Sequence, residues 1–331
     1  TGIIPADGDY NIHDATNGFD IHYQGEAEQD YLGYFKQLAV CDINKDDKGD
    51  VIIGSVHNDA GGGGSGCIYV IFGGTGIGTG VRDLATDTNH DIHWYGETSS
   101  VWFGRIQGVG DFNGDNYDDL LIGAYGADYN SRSKSGSVYL ILADSADRTT
   151  DGAALTSSIY RARYDGDSAS DQLGSGSSES GDVTGDGNDD IILGARYDDA
   201  GGTNAGSIYV TYGTGSIASG TVDLATTYDI QFKGEAPSNT DDQLGVATAV
   251  GDFNGDGVDD LLMGAYVTDY DVNGQGSVYV VYGPLDKRGF SSVLDLATSS
   301  SYDARFDGPV YRNNAIGFLA ASGNITGDGG A

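Results

Sequence analysis

The sequence repeats itself with a period near 70 residues, and this periodicity limits the fold more than any other feature. Aspartate-rich segments recur at steps of 69, 71, 70 and 72 residues, beginning at Asp42, Asp111, Asp182, Asp252 and Asn324. A second landmark, of the form Gly-Ser-Val-Tyr, recurs at a constant step of 70 residues. Its copies begin at Gly66, Gly136, Gly206 and Gly276. Two landmarks in one register indicate an array of equivalent structural units.

Each unit is predicted to contain about four short strands separated by turns. In the second unit, one strand ends near Gly110, another begins at Asp119 and a third follows Gly136. Apolar segments such as Ile92-His-Trp-Tyr and Ile230-Gln-Phe-Lys supply the fourth strand of a unit. Four-stranded sheets at a fixed period are typical of β-propeller blades. A parallel β-helix is the structural alternative, but its coils recur at much shorter periods.

The predicted fold is therefore all-β, a β-propeller in which about five blades are visible and four are complete. The repeat units begin near residues 24, 96, 166, 234 and 308. A single propeller domain over residues 1–331 and an excised part of a longer propeller both agree with this pattern.

The chain is strongly acidic. Lys and Arg total 16 against 50 acidic residues, which gives a formal net charge of −34 and argues against nucleic acid or an anionic membrane surface as partner. The acidic residues are 45 Asp and 5 Glu, a bias typical of turns and oxygen-ligand loops. No run of 18 apolar residues occurs, so no membrane insertion is expected. We interpret the start at Thr1, without an initiator Met or signal peptide, as a mature or excised form.

Four of the turns share the pattern D-x-[NT]-x-D-x-x-x-D, which predicts about four Ca²⁺ sites. Side chains at positions 1, 3, 5 and 9 and the backbone carbonyl at position 7 would converge on a hard cation, and Ca²⁺ prefers six to eight oxygen ligands. In this order of positions the residues are Asp42, Asn44, Asp46, Lys48 and Asp50; Asp111, Asn113, Asp115, Tyr117 and Asp119; Asp182, Thr184, Asp186, Asn188 and Asp190; and Asp252, Asn254, Asp256, Val258 and Asp260. Ordinary hairpin turns are the alternative, but a turn needs only one or two such residues.

Together these motifs resemble the FG-GAP repeats of integrin α-subunit propellers and their prokaryotic relatives. Phe103-Gly104 corresponds to the "FG", and Gly123-Ala-Tyr to the "GAP". Variants of the first are Leu32-Gly33, Leu173-Gly174, Leu244-Gly245 and Ile316-Gly317; variants of the second are Gly54-Ser-Val, Gly194-Ala-Arg and Gly264-Ala-Tyr. The resemblance covers essentially the whole chain, and it implies calcium ligands in the four aspartate loops.

Three departures from this pattern bear on the sites. Lys45 and Lys48 lie inside the first loop and are expected to weaken its calcium binding. Thr184 replaces Asn at position 3 of the third loop, where its hydroxyl still offers an oxygen. In the fifth unit Asn324 replaces the first Asp and the sequence stops at Ala331, so this loop is incomplete.

The two ends read as complementary parts of one blade. Asn11–Thr16 aligns with Thr221–Thr226 as an outer-strand remnant, and Ser322–Ala331 reads as an inner-strand remnant. We expect a closed ring, a cut from a longer array, or head-to-tail chains in which each molecule completes the blade of the next.

Other candidate sites carry weaker signals. The five histidines, all between His13 and His93, have no zinc-type spacing and are expected at the surface or at blade edges. Cys41 and Cys67 read as small core residues rather than a disulfide. The aromatic group Trp94, Tyr95, Trp102 and Phe103 suits core packing, with a carbohydrate or protein contact as the alternative. Arg161, Arg163 and Arg196 are the most concentrated positive charges and are expected to pair locally.

The sequence favours an extracellular, calcium-binding adhesion or structural module that presents a rigid surface to protein, glycan or identical neighbours. A prokaryotic source and a saline environment agree with the acidic composition. The alternative is a Ca²⁺-dependent extracellular enzyme, such as a polysaccharide lyase or a phospholipase. Because no unusual loop carrying His, Lys or Arg breaks the repeat, no catalytic residue is assigned, and the binding role is preferred.

Overall fold

The computed structural model describes residues 21–34, 37–74, 80–86, 88–143, 151–176, 179–235, 241–267 and 276–308. These residues form strands, turns and two short 3-10 turns, Leu285–Lys287 and Ser299–Ser301, and they contain no α-helix. In chain order the strands are β1 (Ile21–Gln24), β2 (Leu38–Cys41), β3 (Asp50–Ser55), β4 (Cys67–Ile71), β5 (Gly80–Asp83), β6 (Ile92–Tyr95), β7 (Phe103–Gly110), β8 (Asp119–Ala124), β9 (Ser137–Ile141), β10 (Ala153–Ala154), β11 (Ala162–Asp165), β12 (Glu179–Gly181), β13 (Asp190–Ala195), β14 (Ser207–Thr211), β15 (Gly220–Asp223), β16 (Ile230–Lys233), β17 (Leu244–Gly251), β18 (Asp260–Ala265), β19 (Ser277–Val281), β20 (Val293–Asp295) and β21 (Ala304–Asp307). The prediction of an all-β fold is confirmed.

Four large sheets correspond to the first four sequence repeats. Their strand orders are β2-β3-β4-β6-β10, β7-β8-β9-β11-β15, β12-β13-β14-β16-β20 and β17-β18-β19-β21. In each sheet, four strands of one repeat pair antiparallel and in chain order. The first strands of neighbouring sheets contact one another, β2 with β7, β7 with β12 and β12 with β17. These are the inner strands of propeller blades, as the sequence predicts.

A fifth strand at the outer edge of the first three sheets comes from the following repeat. β10, β15 and β20 pair in parallel with β6, β11 and β16, and β5 pairs with β1 in the same way. The prediction of four strands per unit is correct for the antiparallel strands. It does not include the parallel strand that the following repeat contributes. A parallel strand of two to four residues leaves too short a pattern to recognise. The sequence Asp-Leu-Ala-Thr begins at the last residue of this strand, at Asp83, Asp223 and Asp295. The second repeat lacks this sequence, and its strand β10 has only two residues.

Glycines of neighbouring blades touch where the repeats pack, which explains why the two glycine motifs recur together. A Cβ built on Gly54 would lie 1.8 Å from the carbonyl oxygen of Gly104, and one built on Gly123 would lie 2.6 Å from that of Gly174. Gly104 also has a φ of 119°, which side chains rarely tolerate. Any larger residue at these positions would push the blades apart.

The core lies between the blades. Ile68, Trp94, Phe103, Leu120 and Tyr139 belong to one buried cluster that joins the first two blades. The rings of Phe103 and Tyr139 meet edge to face with centroids 5.8 Å apart. β8 is buried at all six positions, so both of its faces are covered. Truncating a side chain such as Phe103 to Ala would cost about 3–5 kcal/mol.

The cysteines are free and buried, and β3 separates their strands. Cys41 lies opposite Asp50 and Cys67 opposite Ser55, at the two ends of β3. The preferred interpretation, two small core residues, is therefore correct. The sequence-based predictions about the chain ends and about Asn324 concern residues 1–20 and 309–331, which lie outside the described residues.

Candidate metal sites

The aspartate loops connect the first and second strands of each blade, and all four share one hydrogen-bonding pattern. In the second loop, Asp111 at position 1 accepts hydrogen bonds from the backbone N–H groups of Asp115 (3.0 Å) and Asn116 (2.7 Å). Asp115 at position 5 accepts one from Tyr117 N–H at 3.1 Å. The equivalent acceptors in the other loops are Asp42 and Asp46, Asp182 and Asp186, and Asp252 and Asp256. The backbone thus holds several carboxylates within one short turn.

The aspartate at position 9 begins the second strand and lies beneath the loop. All four copies, Asp50, Asp119, Asp190 and Asp260, have no exposed surface. Asp119 accepts hydrogen bonds from Ala143 N–H at 2.8 Å and from the Asn113 amide at 3.2 Å. Burial, followed by the nearby Asp115 and Asp111 carboxylates, raises the pKa of Asp119 to about 7. Burial and the loop carboxylates raise the pKa of Asp190 to about 7 as well.

These residues have the chemistry of a site for a hard divalent cation, although within the described residues no aspartate loop brings three carboxylate oxygens within 4.8 Å of one another. A buried carboxylate beside two others is an uncompensated negative charge, and a bound cation would relieve it. The side chains at positions 1, 3, 5 and 9 all offer oxygen, and the third loop conforms because Thr184 Oγ1 lies 3.3 Å from Asp182 Oδ1. Carbonyl, carboxylate and hydroxyl oxygens are the ligands that Ca²⁺ takes. The complete ligand set of each loop remains a prediction.

The two lysines of the first loop act on two different loops. Lys48 Nζ lies 2.7 Å from Oδ2 of Asp46 in its own loop, as the sequence suggests. Lys45 instead reaches the second loop, where its Nζ lies 2.5 Å from Oδ2 of Asp115. Lys45 thus also acts on the second loop, and the expected weakening of the first loop remains a prediction. A lysine competes for the position-5 carboxylate in both the first and the second loop.

A separate acidic cluster lies in the third blade and was not found from the sequence. Asp167, Asp171 and Asp198 each offer one oxygen, and these oxygens lie within 4.8 Å of one another. Asp171 and Asp198 are both 1% exposed. Burial raises the pKa of both carboxyls above their usual range. The Tyr209 hydroxyl donates to Asp198 Oδ2 at 2.7 Å. Within the described ranges this is the one group of three or more such side chains with the spacing of a metal site.

The equivalent places in the other blades show why this cluster is unusual. Each blade has a buried tyrosine on its third strand, and the residue opposite it on the fourth strand differs from blade to blade. In chain order the pairs are Tyr69 with His93, Tyr139 with Arg163, Tyr209 with Gln231, and Tyr279 with Arg305. In the fourth blade, Arg305 lies 2.5 Å from Glu235, which is the counterpart of Asp167. The third blade has the neutral Gln231, whose amide donates to the Tyr209 hydroxyl at 3.0 Å. A recurrent acidic residue after glycine, Glu26, Glu97, Asp167 and Glu235, is the sequence signal that could have identified this place.

The remaining candidates from the sequence separate into core and surface residues. Trp94 and Phe103 are buried in the core, whereas the half-buried Trp102 contacts Tyr125 with the two rings tilted and their centroids 5.0 Å apart. Arg161 and Arg163 pair locally, through Ile217 O and Asp165 respectively.

Three further basic side chains lie in or beside the blades. Arg196 lies over the ring of its neighbour Tyr197, with its guanidinium carbon 4.6 Å from the ring centroid, and it also lines a cavity with Arg105. His93 lies on the outer antiparallel strand β6, at a blade edge, and stacks on Tyr69 at 4.8 Å, whereas His90 is only 7% exposed.

Comparison with known proteins agrees with the blade structure. The sequence matches the family described as FG-GAP repeat over residues 103–141, 176–211 and 244–281. These segments contain the first three strands of the second, third and fourth blades. A curated relative, phosphatidylinositol-glycan-specific phospholipase D of Mus musculus, is 36% identical over 115 residues. That match covers 34% of this chain and 13% of the relative. No helix in the described residues is long and apolar enough to span a membrane. The chain therefore contains three FG-GAP repeats, and its large antiparallel sheets are consistent with β-propeller blades.

Proposed function

We propose that the chain is an extracellular calcium-stabilised binding module. The observation that carries this proposal is the fourfold recurrence of one loop in which a buried carboxylate lies beneath one half-buried and one exposed carboxylate. A bound Ca²⁺ would supply positive charge and cross-link each loop. The chain contributes the side-chain oxygens at positions 1, 3, 5 and 9, the carbonyl at position 7, and the backbone N–H groups that keep position 1 aimed into the turn.

An extracellular location agrees with the charge. Four bound Ca²⁺ would change the formal net charge of −34 by +8 to −26, which leaves a strongly anionic surface. Extracellular loops of this general kind bind calcium at about 10⁻⁴–10⁻³ M, well above cytosolic concentrations. The rigid blade surfaces would then present loops to a protein or glycan ligand, or to a second copy of the chain.

An enzymatic role is the second candidate, and the similarity to a phospholipase D favours it. Because the match spans 13% of that enzyme, the chain would inherit its chemistry only if this portion contained the catalytic centre. The binding role needs no such condition. Release of phosphatidic acid from a glycosylated phosphatidylinositol by the purified chain would reverse this preference.

Thermal unfolding with EDTA and with millimolar calcium tests the calcium part of the proposal. Ligand binding to the folded state adds about 2.7 kcal/mol per site at a hundredfold excess over Kd. Calcium should therefore raise the melting temperature strongly, and titration calorimetry should count about four sites. Equal melting temperatures in the two buffers would refute calcium stabilisation.

Single-loop variants assign the sites. Asp256→Ala and Asp186→Ala should each remove one site, whereas Asp46→Ala and Asp115→Ala should cost less calcium stabilisation because a lysine already occupies each carboxylate. Asp118→Asn is the matched control, since Asp118 is exposed at position 8 and outside the ligand set. Loss of a site in this control would contradict the assignment.

A further inference from the structure

A cavity of about 460 Å³ lies at the ends of the second strands opposite to the aspartate loops. Tyr125 follows β8 and Arg196 follows β13, whereas the aspartate loops precede these strands. Arg105 enters the cavity from β7, and Tyr34 and His57 line it from the first blade. The volume is in the range of small-molecule sites, about 300–1,000 Å³.

The charge of this cavity is opposite to that of the chain. Acidic residues outnumber Lys and Arg by 50 to 16, yet two arginines and no carboxylate line the cavity within the described residues. Burial, and then the neighbouring Arg196, lower the pKa of Arg105 to about 10. Two guanidinium groups that repel each other in a recess form a receptor for an anion.

Comparison of the repeats shows that the blade fold does not require arginine at the positions of Arg105 and Arg196. The residue directly after the second strand of each blade is Val56, Tyr125, Arg196 or Tyr266 in successive blades. The residue after the first-strand glycine is Tyr34, Arg105, Ser175 or Val246. Because the blade accepts such different side chains at equivalent places, packing does not dictate the two arginines. Their convergence breaks the repeat symmetry at one point.

Aromatic rings form the rim. Tyr31 and Tyr34 are 50% and 64% exposed, and their ring centroids lie 5.6 Å apart. The His57 ring lies 5.0 Å from that of Tyr31. Exposed aromatic faces carry partial negative charge and attract the C–H faces of a ring-shaped ligand. An anion receptor beside such faces suits a ligand that combines a carboxylate with a saturated ring.

We propose that this cavity binds an acidic sugar unit, with the carboxylate of a uronic acid between Arg105 and Arg196 and the sugar ring against Tyr31 and Tyr34. This inference rests on the binding role proposed above and names its ligand class. It does not depend on the aspartate loops, so a failure of calcium stabilisation and a failure of sugar binding are distinguishable.

Titration calorimetry in constant millimolar calcium, with a galacturonic acid trisaccharide as probe, tests the proposal. The neutral galactose trisaccharide should bind at least tenfold more weakly, and affinity for the acidic probe should fall as salt rises. Arg105→Gln and Arg196→Gln should each reduce the affinity at least tenfold. Tyr34→Ala, at an exposed position that does not endanger folding, should reduce it severalfold. Arg288→Gln, which alters an arginine paired with Asp303, is the matched control and should bind normally.

Three outcomes would overturn the proposal. Equal affinity for the acidic and neutral trisaccharides would remove the role of the arginines. Absence of binding by the folded, calcium-loaded protein would remove the site. Tighter binding of an acidic peptide, lost in the same arginine variants, would assign the cavity to a protein partner instead.

Discussion

Lys45 of the first aspartate loop makes an ion pair with Asp115 of the second, with Nζ and Oδ2 2.5 Å apart. The same ammonium group lies 4.6 Å from the ring centroid of Tyr117. Neighbouring loops are therefore linked through a side chain that competes with the metal expected there. The lysine belongs to one repeat and acts on the site of the next.

Replacing this lysine should improve calcium binding in the second loop. Lys45→Gln removes a cation worth about 0–1 kcal/mol at a partly exposed pair, so the affinity should rise by up to ~fivefold. The backbone amide signal of Tyr117 in a calcium titration followed by NMR reports on this loop alone. Lys48→Gln is the control and should affect the first loop only. An unchanged or lower affinity of the second loop in Lys45→Gln would show that the pair does not compete.

Calcium-free protein should lose stability as pH rises between about 4 and 7. The folded-state pKa values of Asp119 and Asp190 are raised to about 7, so the folded chain binds protons more tightly than the unfolded chain in this window. Their contribution is fully present at the acidic end and is lost as pH rises through the folded-state pKa. With calcium the trend should reverse, because protons compete for the ligands. Urea unfolding across this pH range in EDTA and in calcium measures both slopes, and parallel slopes would contradict this account.

An arginine in the third blade should relieve its acidic cluster. Gln231→Arg places a cation where Arg305 stands in the fourth blade, close to the counterpart of Asp167. We expect the melting temperature in EDTA to rise by several degrees. The reciprocal Arg305→Gln leaves Glu235 buried without its cation and should cost about 3–5 kcal/mol. Lower stability of Gln231→Arg in EDTA would mean that the cluster already carries protons that offset its charge.

The thiols should report whether the blades are intact. Cys41 and Cys67 are buried, and burial raises the pKa of Cys41 to about 12, so both should resist alkylation in calcium at pH 8. Removal of calcium should increase the rate of iodoacetamide labelling, measured by mass spectrometry. Rapid labelling of the calcium-loaded protein would be inconsistent with this packing.

The aspartate loops could be predicted because their side chains lie within nine consecutive residues, so spacing alone brings them together. The blades were predictable because the same strands recur at a fixed period. The cavity was not, because Tyr34, Arg105 and Arg196 are 71 and 91 residues apart and meet only where blades pack. The destination of Lys45 was missed for a related reason, since its partner lies 70 residues away in the neighbouring repeat.

The borrowed outer strands determine how such a chain can be lengthened, shortened or recombined. If the chain is divided at a sheet boundary, such as between β6 and β7, the first sheet loses β10 from its outer edge, and β10 loses its partner β6. When the inserted or deleted segment runs between equivalent points, such as Asp223 and Asp295, each fourth strand still meets an equivalent outer strand, as β11 meets β15 and β16 meets β20. Gene duplication in this array therefore preserves the fold only in whole periods. A blade grafted into another propeller must carry the strand that its predecessor requires.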